Sequence, residues 1–474
     1  MTGILSYGAY VPPTRIGFAT LAGRPARPDD SGPERAVAWS DEDSVTMGVA
    51  AALNCLRGFD RASVDAVYFA STTHPFLEKQ TAALVAKVLD LRRDVATSDH
   101  AGSLRAGTSA LRAAADAVAA GSARRVLVIA SDCRLGAPGS AQERSFGDGA
   151  AAFLVGDSDP IATFAGAHAV ADEIVDVWRS QEDRFVHSWE ERFVIQEGLL
   201  PNLIEAVRGL LAKLPAAPAV ATRAALYAPD ERSHASLVRA LRLAPDQVQD
   251  PLFGKLGNAG AAFAPILLAA ALERARPGER LLVASYGDGA EALALVATPQ
   301  IEKLEPRRGV SWHLARRRAV RSHEHYLRAR GLGEREYTPA RDAGLSATIH
   351  FRERDADLAF KGQRCHGCGA VQFPIQRVCE TCFRKDDFKE LRLSDLAGRV
   401  VTYTLDYFFP TPEPPTIVTI TDIEGARVHL QLVDTRPEQV HPGLAVTFCF
   451  RRMHEVGGRP NYYWKAAPLP EGDA

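Results

Sequence analysis

Ala123-Arg-Arg-Val-Leu-Val-Ile-Ala-Ser131, followed by Phe146-Gly-Asp-Gly-Ala-Ala-Ala-Phe-Leu-Val155, reappears later in the chain as Gly278-Glu-Arg-Leu-Leu-Val-Ala-Ser285 and Tyr286-Gly-Asp-Gly-Ala-Glu-Ala-Leu-Ala-Leu-Val296. Each copy reads as a buried strand, a Gly-Asp-Gly turn and a second strand. A small-residue turn and an Ala-rich helical pattern precede both copies, over Gly102 to Ala120 and Gly257 to Arg274. Pairing Arg125 with Arg280 gives an offset of 155 positions, and the same offset sets Ser103 opposite Asn258. A repeat of this length, matched in helix, strand and turn, says that the fold is doubled. Asp148 and Asp288, inside the two Gly-Asp-Gly segments, read as turn residues.

Working outward, Val64-Asp-Ala-Val-Tyr-Phe-Ala70 reads as another buried strand, with helices over Thr81 to Leu89 and Thr108 to Ala120. Strands alternating with Ala-rich helices predict layered α/β structure. The stretch Ser98-Asp-His-Ala-Gly-Ser-Leu-Arg-Ala-Gly-Thr-Ser-Ala110 crowds small residues at the start of the helix that follows. A helix start offers free N–H groups and a positive dipole end, which suit a thiolate or an anion. No cysteine lies there.

Composition bounds the rest. The chain has 474 residues, 46% hydrophobic and 24% charged, with a net charge of -2 and a mean hydropathy of -0.12. Several domains with ample cores are expected, with no global attraction to nucleic acid or anionic membrane. No apolar run is long enough for a membrane span and the first residues lack a secretory pattern, so a cytoplasmic protein is expected. Four of the seven cysteines fall in one short stretch, a metal-site pattern rather than a disulfide framework.

That stretch is the strongest local motif. Cys365-His-Gly-Cys368 and Cys379-Glu-Thr-Cys382 are two Cys-x-x-Cys knuckles separated by ten residues. Four thiolates close a tetrahedron around zinc and leave no open position, so the metal expected is structural. Gly367 and Gly369 free the backbone to wrap it. Beyond it, Gly398 to Leu405, Pro415 to Asp422, Arg427 to Val433 and Gly443 to Phe450 read as strands of a small β-barrel. Between the doubled unit and the ribbon, Arg307-Arg-Gly, Ala315-Arg-Arg-Arg318 and Arg328 to Arg335 are basic. They read as a solvated helical connector, with a docking site for coenzyme A phosphates as the alternative.

The opening Gly3-Ile-Leu-Ser-Tyr-Gly-Ala-Tyr-Val-Pro12, Ser131-Asp-Cys-Arg-Leu-Gly-Ala-Pro-Gly139, Asp176-Val-Trp-Arg179, Gly257-Asn258 and Tyr326-Leu-Arg-Ala-Arg-Gly-Leu332 resemble, in order, the 3-hydroxy-3-methylglutaryl-CoA synthase branch of the thiolase superfamily. The cysteine knuckles and barrel resemble the rubredoxin-like ribbon with an OB-fold that accompanies thiolase-like proteins of acyl-CoA metabolism. Together these resemblances imply a duplicated thiolase-like layered α/β fold, with halves at residues 1–165 and 166–300. They are followed by a helical connector at 301–345, a zinc ribbon at 346–385 and an OB-fold barrel at 386–474. The resemblance also implies an acyl-CoA substrate, coenzyme A being part of it, and a homodimer formed through sheet edges. Nucleic acid is not expected on the barrel, which lacks a basic-aromatic stripe.

The resemblance carries the family's catalytic residues over incompletely. Where the family has a nucleophilic cysteine in a pattern like Ala-Cys-x-Ala-Gly-Thr, this chain has Leu104 in Leu104-Arg-Ala-Gly-Thr108. Ser103 is adjacent and would need a base. The family's acid/base glutamate falls on threonine in Ser71-Thr-Thr-His-Pro-Phe-Leu-Glu78, leaving His74 and Glu78 as nearby candidates. Glu78 also reads as a favourable charge at a helix start, and His74 as a turn residue. The family's histidine falls on Tyr227, a packed aromatic or an acid/base with a tuned pKa. His234 is a weaker candidate on the next helix. Asn258 matches the family's asparagine and suits an oxyanion contact. Cys133 reads as structural. Three functions are compatible with this pattern: retro-aldol cleavage of a 3-hydroxyacyl-CoA without an acyl-enzyme, condensing acyl transfer, and a non-catalytic CoA-binding scaffold.

Overall fold

The computed structural model describes residues 1–24, 32–214, 221–333, 346–409, 411–456 and 458–470. It divides into two compact units. The first comprises Met1–Trp39, Asp43–Ala86 and Leu91–Leu327; the second comprises Ser40–Glu42, Lys87–Asp90 and Arg328–Ala474.

In the first unit, the repeat read from sequence is built as two antiparallel strand pairs, the second a tight hairpin at Gly287-Asp288 and the first joined by residues 133–148, which include the helix Ala141–Ser145. Arg125–Asp132 pairs antiparallel with Gly149–Gly156, and Arg280–Tyr286 pairs antiparallel with Gly289–Ala297. Each first strand has a parallel neighbour on its other side, Ala66–Ala70 in one half and Arg223–Leu226 in the other. Each second strand pairs with an opening strand, Gly3–Tyr10 or Ala162–Ala171. These two opening strands touch at Gly3 and Ile4, joining the halves into one nine-stranded sheet system. The outermost strand of the first half, Ala96–His100, has its counterpart reduced to a single bridge at Val248.

The helices sort by how apolar they are. Phe263–Leu272 is buried on every side, as expected of a helix with no polar face. Full burial of Phe263, Ile266 and Leu267 contributes about 1.5–3 kcal/mol each. Ala106–Ala119 buries Ala106, Gly107, Ala110, Leu111, Ala114 and Val118 along one face. Both helices pack against strands of both halves, so they form a middle layer, while Ser44–Cys55 covers the outside of one half and Leu200–Lys213 the outside of the other. The result is the doubled, layered α/β fold expected.

The two halves cross at glycines. A Cβ on Gly147 would lie 1.9 Å from the Leu256 carbonyl oxygen, beside the second helix start. Reciprocally, a Cβ on Gly287 would lie 2.7 Å from Ser103 Oγ and 2.8 Å from Leu104 N, at the first helix start. Each Gly-Asp-Gly turn therefore presses on the opposite half. Gly147→Ala is expected to destabilise the first unit by about 1–3 kcal/mol through overpacking against backbone, read as a lowered denaturant midpoint. Of the two turn aspartates, Asp288 sits at positive φ in a turn, whereas Asp148 is buried and accepts from Ala38 N at 2.7 Å. Asp148 thus does more than shape a turn.

The basic segment after residue 300 is not a solvated helix. Arg307 donates to the Cys55 and Tyr7 carbonyls, Arg308 and Arg316 lie over the Trp312 ring, and Arg317 pairs with Glu34. Short helices, Val310–Ala315 and His323–Ala329, occupy part of it. Residues 334–345 of the expected connector lie outside the described residues.

In the second unit, a helix at Ala347–Asp357 leads into three short strands, Lys361–Cys365, Val371–Gln372 and Phe388–Arg392, which carry the cysteine knuckles. A closed five-stranded barrel follows, in the order Gly398–Asp406, Thr416–Ile423, Ala426–Leu432, Arg459–Pro468 and Ala445–Val456. Its core includes Val400, Val428, Leu430, Val446, Phe448 and Trp464. The last strand, Arg459–Pro468, was not among those read from sequence.

Candidate active site and zinc centre

The helix starts of the two halves meet at Gly107, where a Cβ would lie 2.5 Å from the Ala261 carbonyl oxygen. Around this contact gather the ends of the central strands. Tyr227 follows the strand Arg223–Leu226, and its backbone N–H bonds to Ala284 O at 2.9 Å. Its ring is 3% exposed and packs edge-on against Phe263 at 5.9 Å. Its hydroxyl accepts from Asn258 Nδ2 at 3.2 Å. Asn258 also donates to Ala228 O at 3.2 Å, while its Oδ1 accepts from Gly260 N at 2.9 Å and from Arg134 Nη2 at 2.9 Å.

Tyr227 and Asn258 are thus brought together as one hydrogen-bonded pair. The Asn258 amide is directed at Tyr227 rather than standing free for an oxyanion. Burial pushes the Tyr227 phenol up from its ordinary pKa, against a lowering by Arg134 and Asn258. It is therefore a neutral phenol at rest. Tyr286 lies 6.4 Å from it, ring to ring, and its phenol is likewise pushed up by burial and by Asp176. Burial also raises the Asp176 carboxyl, against hydrogen bonding from Val177 N–H and an interaction with Tyr286.

The other candidates are placed elsewhere. Leu104 is buried in the apolar core. Ser103 Oγ donates to the Gly287 carbonyl at 3.0 Å. His74 bonds through Nδ1 to Thr81 Oγ1 at 2.9 Å and lies 3.8 Å from Asp99, in the loop before the helix Thr81–Val88. Glu78 is exposed and precedes that helix, whose first N–H groups are taken by the Asp99 carboxylate. His234 is buried on the helix Glu231–Ala240, with burial lowering its pKa. Cys133 lies beside Thr73, with its N–H 3.1 Å from Thr73 Oγ1.

Three residues of this site escaped the sequence reading: Asp132, Arg134 and Tyr286. Asp132 accepts from Ser71 Oγ, from the Thr72 and Thr73 N–H and hydroxyl groups, and from Ala261 N. It ties the Ser71–Thr73 loop to the second helix start. The available signal was position: Asp132 ends one repeated strand with Arg134 just beyond it, and Tyr286 ends the other.

The ribbon cysteines form a compact tetrad, with all four sulfurs within 4.8 Å of one another. Cys365 and Cys382 Sγ are 3.6 Å apart, as are Cys368 and Cys379 Sγ. A tetrahedral zinc with bonds of about 2.3 Å sets its thiolates about 3.8 Å apart, so the four residues fit the metal. The knuckles are built alike. Gly369 N bonds to Cys365 O at 2.9 Å, and Phe383 N bonds to Cys379 O at 3.0 Å. The residue after each second cysteine has positive φ, 76° at Gly369 and 59° at Phe383. Glycine adopts that conformation freely and phenylalanine does not. Phe383 is also 78% exposed, so Phe383→Gly is expected to stabilise the knuckle by about 0.5–1 kcal/mol, read as slower zinc loss to a chelator.

Comparison with known proteins agrees with both units. Residues 352–388 match the family model described as ChsH2, rubredoxin-like zinc ribbon domain. Among solved structures, MvaS in complex with 3-hydroxy-3-methylglutaryl coenzyme A is 21% identical at a TM-score of 0.59, covering 72% of this chain and 94% of that one. The 3-oxoacyl-[acyl-carrier-protein] synthase III of Aquifex aeolicus is 21% identical at a TM-score of 0.56, covering 63% of this chain and all of that one. By sequence, the hydroxymethylglutaryl-CoA synthase of Aeropyrum pernix is 32% identical, covering 69% of this chain and 94% of that protein. That of Methanopyrus kandleri is also 32% identical, over 64% of this chain and 89% of that protein. With relatives this similar matched along most of their length, the chain belongs to the hydroxymethylglutaryl-CoA synthase family.

Proposed function

We propose that the chain acts on acyl-CoA thioesters in carbon–carbon bond chemistry, and specifically that it cleaves a 3-hydroxyacyl-CoA by a retro-aldol step without forming an acyl-enzyme. The hydroxymethylglutaryl-CoA synthase relatives and a CoA-bound neighbour support the thioester substrate. The observation that carries the finer reading is the pairing of Tyr227 with Asn258 at a site whose nucleophile position holds buried Leu104.

In this reading the Tyr227 phenolate takes the proton of the substrate's 3-hydroxyl. The C2–C3 bond breaks, C3 becomes a carbonyl carbon, and the bonding pair moves to C2 as a thioester enolate. The proton that Tyr227 took up is then returned at C2 through solvent, which releases the shortened acyl-CoA and restores the phenolate. In the reverse direction the neutral phenol protonates the developing alkoxide. Ser103 does not serve as an acyl acceptor, because its hydroxyl is engaged by Gly287 O and no described base adjoins it.

Intact-protein mass spectrometry after incubation with acyl-CoA substrates tests this directly. No mass increase on the wild-type chain is expected. A stable acyl adduct would sink the lyase reading and favour condensing acyl transfer. The protein is further proposed to be a cytoplasmic homodimer. The strand Ala96–His100 ends the sheet and pairs on one side only, which leaves a backbone edge for a second copy. Among the described residues no helix is long and apolar enough to cross a membrane. Light scattering that gives the monomer mass at micromolar concentration would remove the dimer.

A further inference from the structure

A guanidinium is buried beside the Tyr227–Asn258 pair with no carboxylate in ion-pair contact. Arg134 is 6% exposed. Its Nη2 donates to Asn258 Oδ1, its guanidinium carbon lies 4.1 Å from the Phe146 ring centroid, and its Nε has no partner. No carboxylate of the described residues forms an ion pair with it. Asp132, two positions earlier, has both oxygens bonded by the Ser71–Thr73 loop and Ala261 N. Its Oδ2 and Arg134 Nε flank one point, 2.3 and 2.8 Å from where a Cβ on Gly260 would lie, without bonding each other. The Arg134 charge is therefore not taken up in an ion pair, and its unpartnered Nε is left for negative charge that arises beside it.

The acceptor of that charge is set by the geometry of the amide. Asn258 Oδ1 faces two donors, Arg134 Nη2 and Gly260 N, and its Nδ2 faces two acceptors, the Tyr227 hydroxyl and Ala228 O. Reversing the amide would set donor against donor at Arg134 and Gly260 N and acceptor against acceptor at Ala228 O. Arg134, together with these two backbone groups, therefore selects the orientation in which Asn258 donates to the Tyr227 oxygen. We propose that Arg134 is the positioning residue of the site, fixing Asn258 toward Tyr227 and supplying the positive charge against which the Tyr227 phenolate forms.

This rests on the reading of Tyr227 as the proton carrier. The charged and titratable groups that face Tyr227 are Arg134, Asp176 and Tyr286. Asp176 disfavours the phenolate, as does burial, which is the largest effect. Arg134 alone among them is cationic. Neutralising it leaves nothing to offset burial and Asp176 except the Asn258 hydrogen bond. No co-reactant is needed, since the proton that Tyr227 takes from the substrate hydroxyl is returned at C2 through solvent.

The test places a fluorinated tyrosine at position 227 in the full-length, zinc-loaded protein and follows its ¹⁹F shift with pH. Fluorination lowers the intrinsic pKa of the phenol and so brings its ionisation to a lower pH. R134Q is expected to raise the midpoint by about one unit or more, a tenfold change in proton affinity, and R134K by less than half as much. R134M is the second neutral variant should R134Q not fold. An unchanged midpoint in the folded neutral variant, or equal shifts in the neutral and lysine variants, overturns the proposal. The titration needs no turnover. Failure of the wild-type protein to cleave any 3-hydroxyacyl-CoA would remove the proposed reaction, an outcome distinct from failure of the Arg134 effect, which the titration reads by itself.

Discussion

Tyr227→Phe is expected to lower turnover of a 3-hydroxyacyl-CoA by about 10²- to 10⁴-fold, the usual worth of a general acid or base. The ring itself should stay in place. Its contacts with Phe263 and Tyr286 are made by the aromatic body, which phenylalanine keeps. What is lost is the oxygen that accepts from Asn258 Nδ2, so the fold is expected to lose only about 1–2 kcal/mol. A large fall in kcat with KM nearly unchanged therefore reports chemistry and not collapse. Ser103→Ala removes only a hydroxyl bonded to Gly287 O and is expected to leave turnover within about threefold of wild type, since no reacting group is lost. The pH dependence follows from the direction of the Tyr227 shift. Burial holds the phenol above its ordinary value, so the phenolate fraction at neutral pH is small. Cleavage that needs the phenolate should quicken with pH, about tenfold per unit below that raised pKa. The reverse, bond-forming direction needs the phenol and should be flat over the same range. A cleavage rate independent of pH, or one that survives Tyr227→Phe, would remove Tyr227 from the mechanism.

How far the sequence disclosed this depended on what kind of signal each residue left. The doubling was legible because the repeated strands and the Gly-Asp-Gly turns follow hydrophobic periodicity and backbone geometry, which local sequence records. The close contacts that make the two halves one object were only half visible. Gly147 and Gly287 were read as turn formers, whereas each is also pressed against the opposite half, where a Cβ does not fit. Tyr227 and Asn258 were found through their places in the family pattern, and the structure joins them by a hydrogen bond. Arg134 and Asp132 leave no local signal of their role, because an arginine or aspartate at the end of a strand is usually solvated. Only tertiary packing shows that both are buried. The solvated connector failed for the same reason in reverse. Arg307 looked like surface charge, yet it is folded in against the Cys55 and Tyr7 carbonyls. Glu78 and His74 drew attention by type and sequence proximity. The helix near them begins at Thr81 and takes its cap from Asp99, which lies on a different strand.

Removal of zinc is expected to unfold the ribbon while leaving the thiolase-like unit intact. The three ribbon strands are two to five residues long, too short to hold a stable sheet by themselves. The knuckle surfaces are poorly covered: Cys368, Cys382, Ile375, Val378 and Phe383 are all exposed. Little apolar burial is therefore available to offset the chain entropy of ordering this segment. Four thiolates on one zinc supply the difference, with apparent binding free energies of about 10–16 kcal/mol at neutral pH in small zinc modules. Cys379→Ser should then have an effect far larger than its size. It removes one of two buried ligands and leaves a three-sulfur site open to water. Metal analysis of the purified protein should give one zinc per chain for the wild type and well under one for Cys379→Ser. Limited proteolysis after chelation should cut first between residues 361 and 392. The first unit, with its own core of Phe263, Leu267, Val128 and Phe153, should persist as a protected fragment. A wild-type protein purified without zinc, or a ribbon equally resistant to protease with and without chelator, would overturn this account. The Phe360 side of the ribbon would survive longest, because that ring stacks on Trp464 at 5.9 Å and meets Phe448 edge-on at 5.4 Å. Those contacts belong to the barrel core and do not depend on the metal.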